Sequence, residues 1–396
     1  MKLNLKSIFD SIRRTKTPAL VSDPFNPASE TIAPEKPIYL TTPLQRFFMR
    51  VSLRDQILFI KQAAILLRAG VPLFSSLQML KEQSRTKSMK MIMDQVIRDV
   101  ENGQYLATAL GKFKKIFGEL TINIIAVGEI SGNLSNNLDH LAISLKKRQA
   151  LRRKVVSASV YPIFIIIATL AISVMLTVFV FPKIIPVFQS INYELPWTTK
   201  FLIWINTTVK NYGIFIGAGV IALIAGLFFL IRIPKVHFWY DTLLVKAPLI
   251  KQLVQTYNTA NICRTMGLLL NSGATVVSAF NITSHTTVNL VYKKELNHIA
   301  EQLIKGEKIS TQINKDHKLF PIMVGQMIAV GESTGKLSET FIYLADIYEE
   351  EMDEITKNLS TTLEPMLLIF MGVLVGFIAI SIITPIYGIT QHLTPK

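Results

Sequence analysis

The sequence is poor in the residues that build disulfides, metal sites and catalytic centres. Its 396 residues include one cysteine, Cys263, which excludes an intrachain disulfide. The six histidines are scattered, and none forms a His-x-x-x-His pair or stands at ligand spacing from the cysteine. Two Ser-x-x-Lys matches, at Ser84 and Ser144, lack a plausible base. The sequence therefore predicts no metal site, no cofactor and no enzymatic activity.

The N-terminus lacks the apolar core of a signal peptide. Lys2, Lys6, Arg13 and Arg14 are followed by polar and proline-rich sequence. Six prolines between Thr17 and Pro43 disfavour a stable fold. We therefore expect residues 1–45 to form a disordered or extended arm on the cytoplasmic side.

Charge is absent from three long apolar runs. Two of them lie between prolines, Pro162 to Pro182 and Pro365 to Pro385, and the third covers Tyr212 to Ile231. Each run is long enough to cross a hydrocarbon core of about 30 Å as a helix. The sequence predicts transmembrane helices at 158–182, 212–231 and 361–385.

The charges beside these runs predict their orientation. Six basic residues and no acid lie between Lys146 and Lys154, just before the first run. The positive-inside rule then places the N-terminus in the cytoplasm, the loop 183–211 outside, and a short tail, 386–396, outside. The predicted location is the plasma (inner) membrane, with several crossings.

A ten-residue pattern occurs twice. Ala-Val-Gly-Glu-x-x-Gly-x-Leu-Ser starts at Ala126 and again at Ala329, an offset of 203 residues. The same offset aligns Gly70 with Gly273 and Pro162 with Pro365 without a gap. One unit has therefore been duplicated, each copy ending in an apolar span.

The duplication predicts the fold class. Leucines recur at helical spacing after each motif, and no alternating strand is evident. We expect an all-α membrane protein with two repeated cytoplasmic helical-bundle domains, 46–157 and 232–360, and three transmembrane helices. The middle span has no counterpart in the repeat. It supplies the return crossing that lets both copies face the same side, as a parallel pair.

The charge of the two copies differs. The chain carries 42 basic and 27 acidic residues, a formal charge of +15. Residues 46–154 have a net charge of +11, and residues 232–364 have −1. Anionic lipid next to the first span explains much of this surplus, so no nucleic-acid partner is predicted. The candidate partner or lipid contacts are Lys112, Lys114, Lys115, Lys146, Lys147, Arg148, Arg152, Arg153 and Lys154.

The repeated motif supplies the other candidate residues. Glu129 and Glu332 lie between paired glycines. Each either contacts a partner or the other repeat, or bonds free backbone N–H groups at a helix end, and the second interpretation is preferred. The signature positions are Gly128, Glu129, Gly132, Leu134, Gly331, Glu332, Gly335 and Leu337, together with Gly70 and Gly273.

Two further patterns have structural interpretations. Gly331 to Lys336 is one residue short of a phosphate-binding loop, and Leu337 stands where Ser or Thr would follow the lysine. Gly335 instead suits a helix end or a turn with positive φ. Tyr161-Pro162 and Glu364-Pro365 are predicted to open the first and third spans, because proline is tolerated in the first turn of a helix.

Three of these features together resemble a known protein family. The duplicated motif, the run Leu-Leu-Arg-Ala-Gly-Val-Pro-Leu from Leu66 to Leu73, and the three-span layout resemble the inner-membrane platform protein family of type IV pili and type II secretion systems. This family is also called general secretion pathway protein F or pilus assembly protein C. The resemblance covers about Ser52 to Tyr387. The second copy departs from it at Ala274-Thr275, where the first has Val71-Pro72.

The resemblance implies a non-enzymatic function. A family member would couple a hexameric cytoplasmic assembly ATPase to the insertion or extraction of pilin or pseudopilin subunits. It would act with other inner-membrane assembly proteins and as a homo-oligomer. Two other classes stay open, a multi-chain membrane transporter and a membrane scaffold or receptor. The three apolar runs hold no charged residue to line a transport path, and the outer loop is short for a sensory module.

Overall fold

The described part of the chain is built almost wholly from α-helices. The computed structural model describes residues 51–180, 182–184, 186, 196–247, 250–315 and 319–393. Helices make up about 87% of these residues, and they include no strand, which confirms the all-helical prediction. The predicted arm 1–45 lies outside the described residues.

The chain contains two helical units of similar layout, and each unit continues into a long helix. Unit 1 comprises α1 (Leu53–Arg68), α2 (Leu73–Gln83), α3 (Lys87–Glu101), α4 (Leu106–Gly111), α5 (Lys114–Ile130) and the start of α6 (Leu134–Met175). A π-helical turn, Leu176–Val180, follows α6, and α7 (Trp197–Leu230) and α8 (Pro234–Lys246) lead to the second unit. Unit 2 comprises α9 (Lys251–Asn271), α10 (Val276–Thr286), α11 (Leu290–Ile304), α12 (Ile309–Ile313), α13 (Ile322–Thr334) and the start of α14 (Leu337–Leu393).

The 203-residue offset holds in three dimensions. It carries the bounds of α2 onto those of α10 and the bounds of α3 onto those of α11. Gly70, with a φ of +81°, corresponds to Gly273, with a φ of +94°. Both follow a helix, where only glycine adopts this left-handed conformation without strain. The two units therefore repeat their helices and their turns.

Apolar side chains at helical spacing close the core. In unit 1, α3 buries Met89, Ile92, Met93 and Val96 along one face. In unit 2, the buried Tyr292 also donates its hydroxyl to the carbonyl of Leu319, at 2.7 Å. Such burial supplies most of the stability of short helices, which are marginal on their own.

Two helices fit a membrane protein. The segments Leu134–Ile184 and Leu337–Thr384 are long enough to cross a bilayer, and only 11% of their most apolar stretches is buried. Residues 212–230 of the third predicted span, 212–231, belong to α7, whose Ile214 and Phe215 are exposed. Its crossing stays a prediction.

The helices differ from the predicted segments at their ends. Pro162 lies inside α6, and Pro365 inside α14, so the prediction that these prolines stand in the first turn of a helix was wrong. Each helix instead continues from its unit into its apolar stretch, and the proline removes one backbone hydrogen bond. Residues 197–211, predicted as loop, belong to α7, and the tail is helical to Leu393. Thr199 of α7 donates to the carbonyl of Ser381 in α14, at 2.8 Å.

The two units pack against each other. The first halves of α6 and α14 lie side by side and run in the same direction. Helix α9 contacts α6, and α10 contacts α5. The two units thus form one body through these contacts.

Candidate functional site

The repeated glutamate of unit 1 caps a helix. Glu129, near the end of α5, accepts hydrogen bonds from the backbone N–H groups of Leu106, at 2.5 Å, and Ala107, at 2.8 Å. These are the first residues of α4, whose N–H groups have no partner inside the helix. Burial raises the pKa of Glu129, and the two backbone hydrogen bonds act in the opposite direction.

The glutamate of unit 2 makes the same contacts 203 residues later. Glu332 accepts from the N–H groups of Ile309, at 2.6 Å, and Ser310, at 3.1 Å, and from the hydroxyl of Ser310, at 2.5 Å. The structure therefore agrees with the helix-end interpretation of both glutamates. A negative charge at a helix N-terminus is also favoured by the helix dipole.

The glycine before each glutamate allows two helices to approach closely. A Cβ added to Gly128 would lie 3.1 Å from the Cα of Leu134 and 3.1 Å from the side chain of Asn137. A Cβ on Gly331 would lie 2.6 Å from the hydroxyl of Thr340. Each glycine thus brings the helix that carries the motif against the long helix that follows it.

The second glycine of each motif makes the turn. Gly132 has a φ of +70° and Gly335 a φ of +71°, the left-handed conformation that a turn of this kind requires. Leu134 and Leu337 then begin α6 and α14, and both pack against the core. Every singled-out position of the motif therefore has a structural role inside its own unit.

The segment from Gly331 to Lys336 has the wrong geometry for a phosphate loop. Residues up to Thr334 belong to α13, so their N–H groups are engaged inside a helix. The N–H of Lys336 donates to the carbonyl of Gly331, at 3.0 Å. The Lys336 side chain is exposed, 3.8 Å from Glu339.

A charged cluster joins the two units. Lys147 of α6 pairs with Asp346 of α14, at 2.5 Å, and Arg264 of α9 reaches the same carboxylate, at 2.5 Å. Arg264 also pairs with Glu349, at 2.8 Å, and Lys154 pairs with Asp353 seven residues further along each helix. The basic end of unit 1 is thus opposed by the acidic run of unit 2.

The cluster shifts the pKa values of Arg264 and Asp346. Burial acts to lower the pKa of Arg264, but Glu349 and Asp346 outweigh this effect and raise it. Burial acts to raise the pKa of Asp346, and Lys147 and Arg264 outweigh it, so the pKa is lowered. Arg264 and Asp346 are therefore both charged at neutral pH.

The structure separates the nine basic candidates into three groups. Lys112 pairs with Asp99, at 3.0 Å, and Lys114 with Glu119, at 3.3 Å, so both are engaged within unit 1. Lys147 and Lys154 contact unit 2. The others are exposed or half-buried and make no ion pair within the described part of the chain: Lys115, Lys146, Arg148, Arg152 and Arg153.

Three of these residues line a groove between the units. Lys115, Arg148 and Arg152 face it, and Asp55 supplies the single carboxylate of its lining. Its walls are partly apolar and include Tyr257 and Val288 of unit 2. The groove therefore offers cations beside an apolar surface.

Sequence reasoning missed the partners of the charged cluster. Arg264 and Asp346 were not singled out, because neither belongs to the repeated motif. The acidic run from Glu349 to Glu354 was the available signal, since it occupies nearly the same repeat position as the basic run of unit 1. Cys263, adjacent to Arg264, is buried, and burial raises its pKa to about 12.

Comparison with known proteins identifies the repeat. A family model described as type II secretion system (T2SS), protein F, matches residues 59–182 and again residues 262–385. The type IV pilus assembly protein PilC of Thermus thermophilus is 32% identical over 346 residues, covering 86% of this chain and 84% of the relative. The chain belongs to the protein F family.

The similar proteins include both pilus assembly proteins and type II secretion proteins. The type IV pilus assembly protein PilC of Pseudomonas aeruginosa is 32% identical over 85% of this chain and 90% of its own length. The type II secretion system protein F of the same organism is 29% identical over 87% of this chain and 85% of its own length. The two matches to the family model end at Pro182 and Pro385 and leave out α7. The protein F unit is therefore one helical unit with one apolar helix, and it occurs twice.

Proposed function

We propose that this chain is a non-enzymatic platform of the inner membrane that couples a cytoplasmic assembly ATPase to the movement of pilin or pseudopilin subunits. The observation that supports this most is the continuity of α6 and α14, each of which joins a unit to an apolar stretch without a loop. A movement imposed on a unit would then reach the membrane through a helix.

The proposed function is tested with the full chain in detergent. Its gene should be replaced by a tagged copy in a strain that assembles pili or secretes through a type II system. The purified chain should retain the hexameric assembly ATPase of that strain and a cross-linked prepilin. Loss of the gene should abolish pilus assembly or secretion. A null strain that retains both processes would contradict the proposal.

We propose that both units face the cytoplasm and that the C-terminus lies outside. The basic run from Lys146 to Lys154, next to the first apolar stretch, supports this orientation. Cysteines introduced as Lys336→Cys and Asn192→Cys should react with an impermeant maleimide from opposite sides. Cys263 can stay in place, because it is buried and its pKa is about 12. Labelling of both sites from outside would contradict this topology.

We propose that the groove of Lys115, Arg148 and Arg152 contributes the electrostatic part of ATPase binding. Arg153, nearer the apolar stretch, would contact anionic lipid. ATPase binding by the full chain should weaken with added salt. It should weaken further in Lys115→Glu with Arg148→Glu, but not in the matched exposed control Lys305→Glu. Binding that is indifferent to salt and to the reversals would point to apolar contact instead.

We propose that the chain does not hydrolyse ATP, since the helical geometry of α13 leaves no cradle for a phosphate. Hydrolysis by the purified chain that disappears in Lys336→Ala would contradict this. We also propose that it acts as a homo-oligomer beside other inner-membrane assembly proteins.

A further inference from the structure

The contact between the two units joins different faces of one repeated structure. Unit 2 uses α9, α10 and α14, and unit 1 uses α5 and α6. The reciprocal contacts, α1 with α14 and α2 with α13, are not formed to a comparable extent in the described part. The contact is therefore heterologous, and a heterologous contact between repeated units leaves one complementary face free at each end.

The free face of unit 1 is the counterpart of the covered face of unit 2. Leu268 of α9 is 5% exposed, whereas its counterpart Ile65 of α1 is 55% exposed. Arg264 is buried in the charged cluster, whereas its counterpart Lys61 is exposed and has no ion-pair partner in the described part. The counterpart of Glu349 is Lys146, which is also exposed. Lys146 and Lys61 occupy the repeat positions of Glu349 and Arg264, which pair with each other in unit 2.

The free face of unit 2 is the counterpart of the covered face of unit 1. Ala126 of α5 is buried and Val127 lies next to Gly273 of unit 2, whereas their counterparts Ala329 and Val330 are exposed on α13. The counterpart of Lys147 is Glu350, which is exposed and makes no ion pair among the described residues.

One charge contact of the intrachain interface, Lys147 with Glu349, has a counterpart of exchanged sign on the free faces, whereas Lys154 with Asp353 does not, since their counterparts are Lys357 and Ala150. Within the chain, a lysine of α6 meets two carboxylates of α14. If the same contact were repeated between chains, Glu350 of one copy would meet Lys146 of the next, close to Lys61. The apolar Val330 would meet the turn at Gly70, as Val127 meets Gly273.

We infer that a second copy of this chain covers these faces, so that unit 2 of one copy binds unit 1 of the next by repeating the intrachain contact. Because α6 and α14 run in the same direction, every copy would keep the same orientation toward the membrane. A head-to-tail contact of this kind closes into a ring or continues as a row. The inference rests on the homo-oligomeric part of the proposed function and specifies its surfaces.

Cross-linking between two differently tagged chains tests the contact. One chain carries Lys146→Cys and the other Glu350→Cys, and both keep the buried Cys263. Oxidation should join the two variants to each other and give little product within either variant alone. A Glu301→Cys chain in place of the Glu350→Cys chain is the control. Cross-linking only between identical variants, or no cross-linking, would overturn the inference.

Charge exchange provides a second measurement. Glu350→Lys and Lys146→Glu should each shift most of the detergent-solubilised chain to monomer at a concentration where the native chain is assembled. The two substitutions in one chain should restore the assembly, and Glu301→Lys should have no effect. Native mass unchanged by all of these substitutions would overturn the inference. ATPase binding by the same variants distinguishes failure of this inference from failure of the proposed function. A variant that is monomeric and still binds the ATPase would have lost only the contact between copies.

Discussion

Helices α1 and α9 occupy the same place in the two units but differ in their surroundings. α9 is buried on most sides from Thr256 to Leu269, because α14 lies along it and α6 contacts it as well. α1 buries Phe59, Ile60, Ala63 and Ala64 toward its own unit and exposes Leu58 and Ile65. Helix α9 is therefore an interior helix, whereas one side of its duplicate α1 is exposed.

This difference indicates that duplication preserved the interior and the turns while the outer faces diverged. The capping glutamates and the turn glycines recur at the same offset. The charges of the long helices do not recur, since Lys147 corresponds to Glu350. Substitutions at equivalent caps and turns should therefore have effects of the same kind, and substitutions where the helix surfaces of the two units have diverged should have unequal effects.

The largest effects are expected at the capping glutamates. Glu332→Ala and Glu129→Ala should each leave two N–H groups of a short helix without their acceptor, at a cost of about 2–4 kcal/mol. Glu332→Ala should cost more, because it also frees the hydroxyl of Ser310. Thermal unfolding of the purified full chain measures both. The isosteric controls Glu129→Gln and Glu332→Gln should lose less, and equal losses for Ala and Gln would argue against a capping role.

The next largest loss of stability is expected in α9 and not at the equivalent position of α1. Gly267 of α9 lies against α14, where a Cβ would be 2.7 Å from the side chain and 3.0 Å from the backbone nitrogen of Ile342. Gly267→Ala should therefore destabilise the chain by about 1–3 kcal/mol through overpacking. Its counterpart in α1 is Ala64, and Ala64→Gly should cost about 1 kcal/mol through helix propensity. A Gly267→Ala chain as stable as the native one in urea would show that α9 and α14 are less closely packed.

The two turn glycines should respond alike. Gly132→Val and Gly335→Val both place a β-branched residue at a φ near +70°, which costs roughly 1–2 kcal/mol. No heavy atom lies within 4 Å of a Cβ at either position, so the loss should come from the backbone alone. The melting temperature of each variant tests this, and a change at one position only would break the equivalence of the two turns.

The smallest effect concerns the charged contact between the units. The lowered pKa of Asp346 means that its contribution is present above the unfolded value near 3.8 and is lost as pH falls through the folded value. Urea unfolding should therefore show a loss of stability below about pH 4. Arg264→Met should reduce that pH dependence, and the part of the stability loss at pH 7 that comes from the Asp346 contact should be about 1 kcal/mol or less, because Asp346 is half-exposed. An unchanged pH profile would show that Arg264 does not hold the carboxylate.

The sequence predicted what depends on local chemistry. The helix-end role of Glu129 and the turn at Gly132 followed from residue types that satisfy free N–H groups or adopt positive φ. The contacts of Arg264 with Asp346 could not be predicted, because the two residues are 82 positions apart and only packing of the helices brings them together. The prolines misled for a related reason. A proline favours a helix start locally, yet α6 continues through Pro162 because one lost hydrogen bond is small beside a helix of 42 residues.

That continuity gives the molecule a mechanical property. A helix of 42 residues is about 60 Å long, and α14, with 57 residues, is about 85 Å long. The first part of each helix is packed into a folded unit, so a small rotation of the unit would become a larger sideways displacement of the apolar part. Because Lys147 and Lys154 join the first halves of the two helices by ion pairs, the helices would move as a pair. Pro162 and Pro365, each lacking one backbone hydrogen bond, are the points at which such helices would bend first.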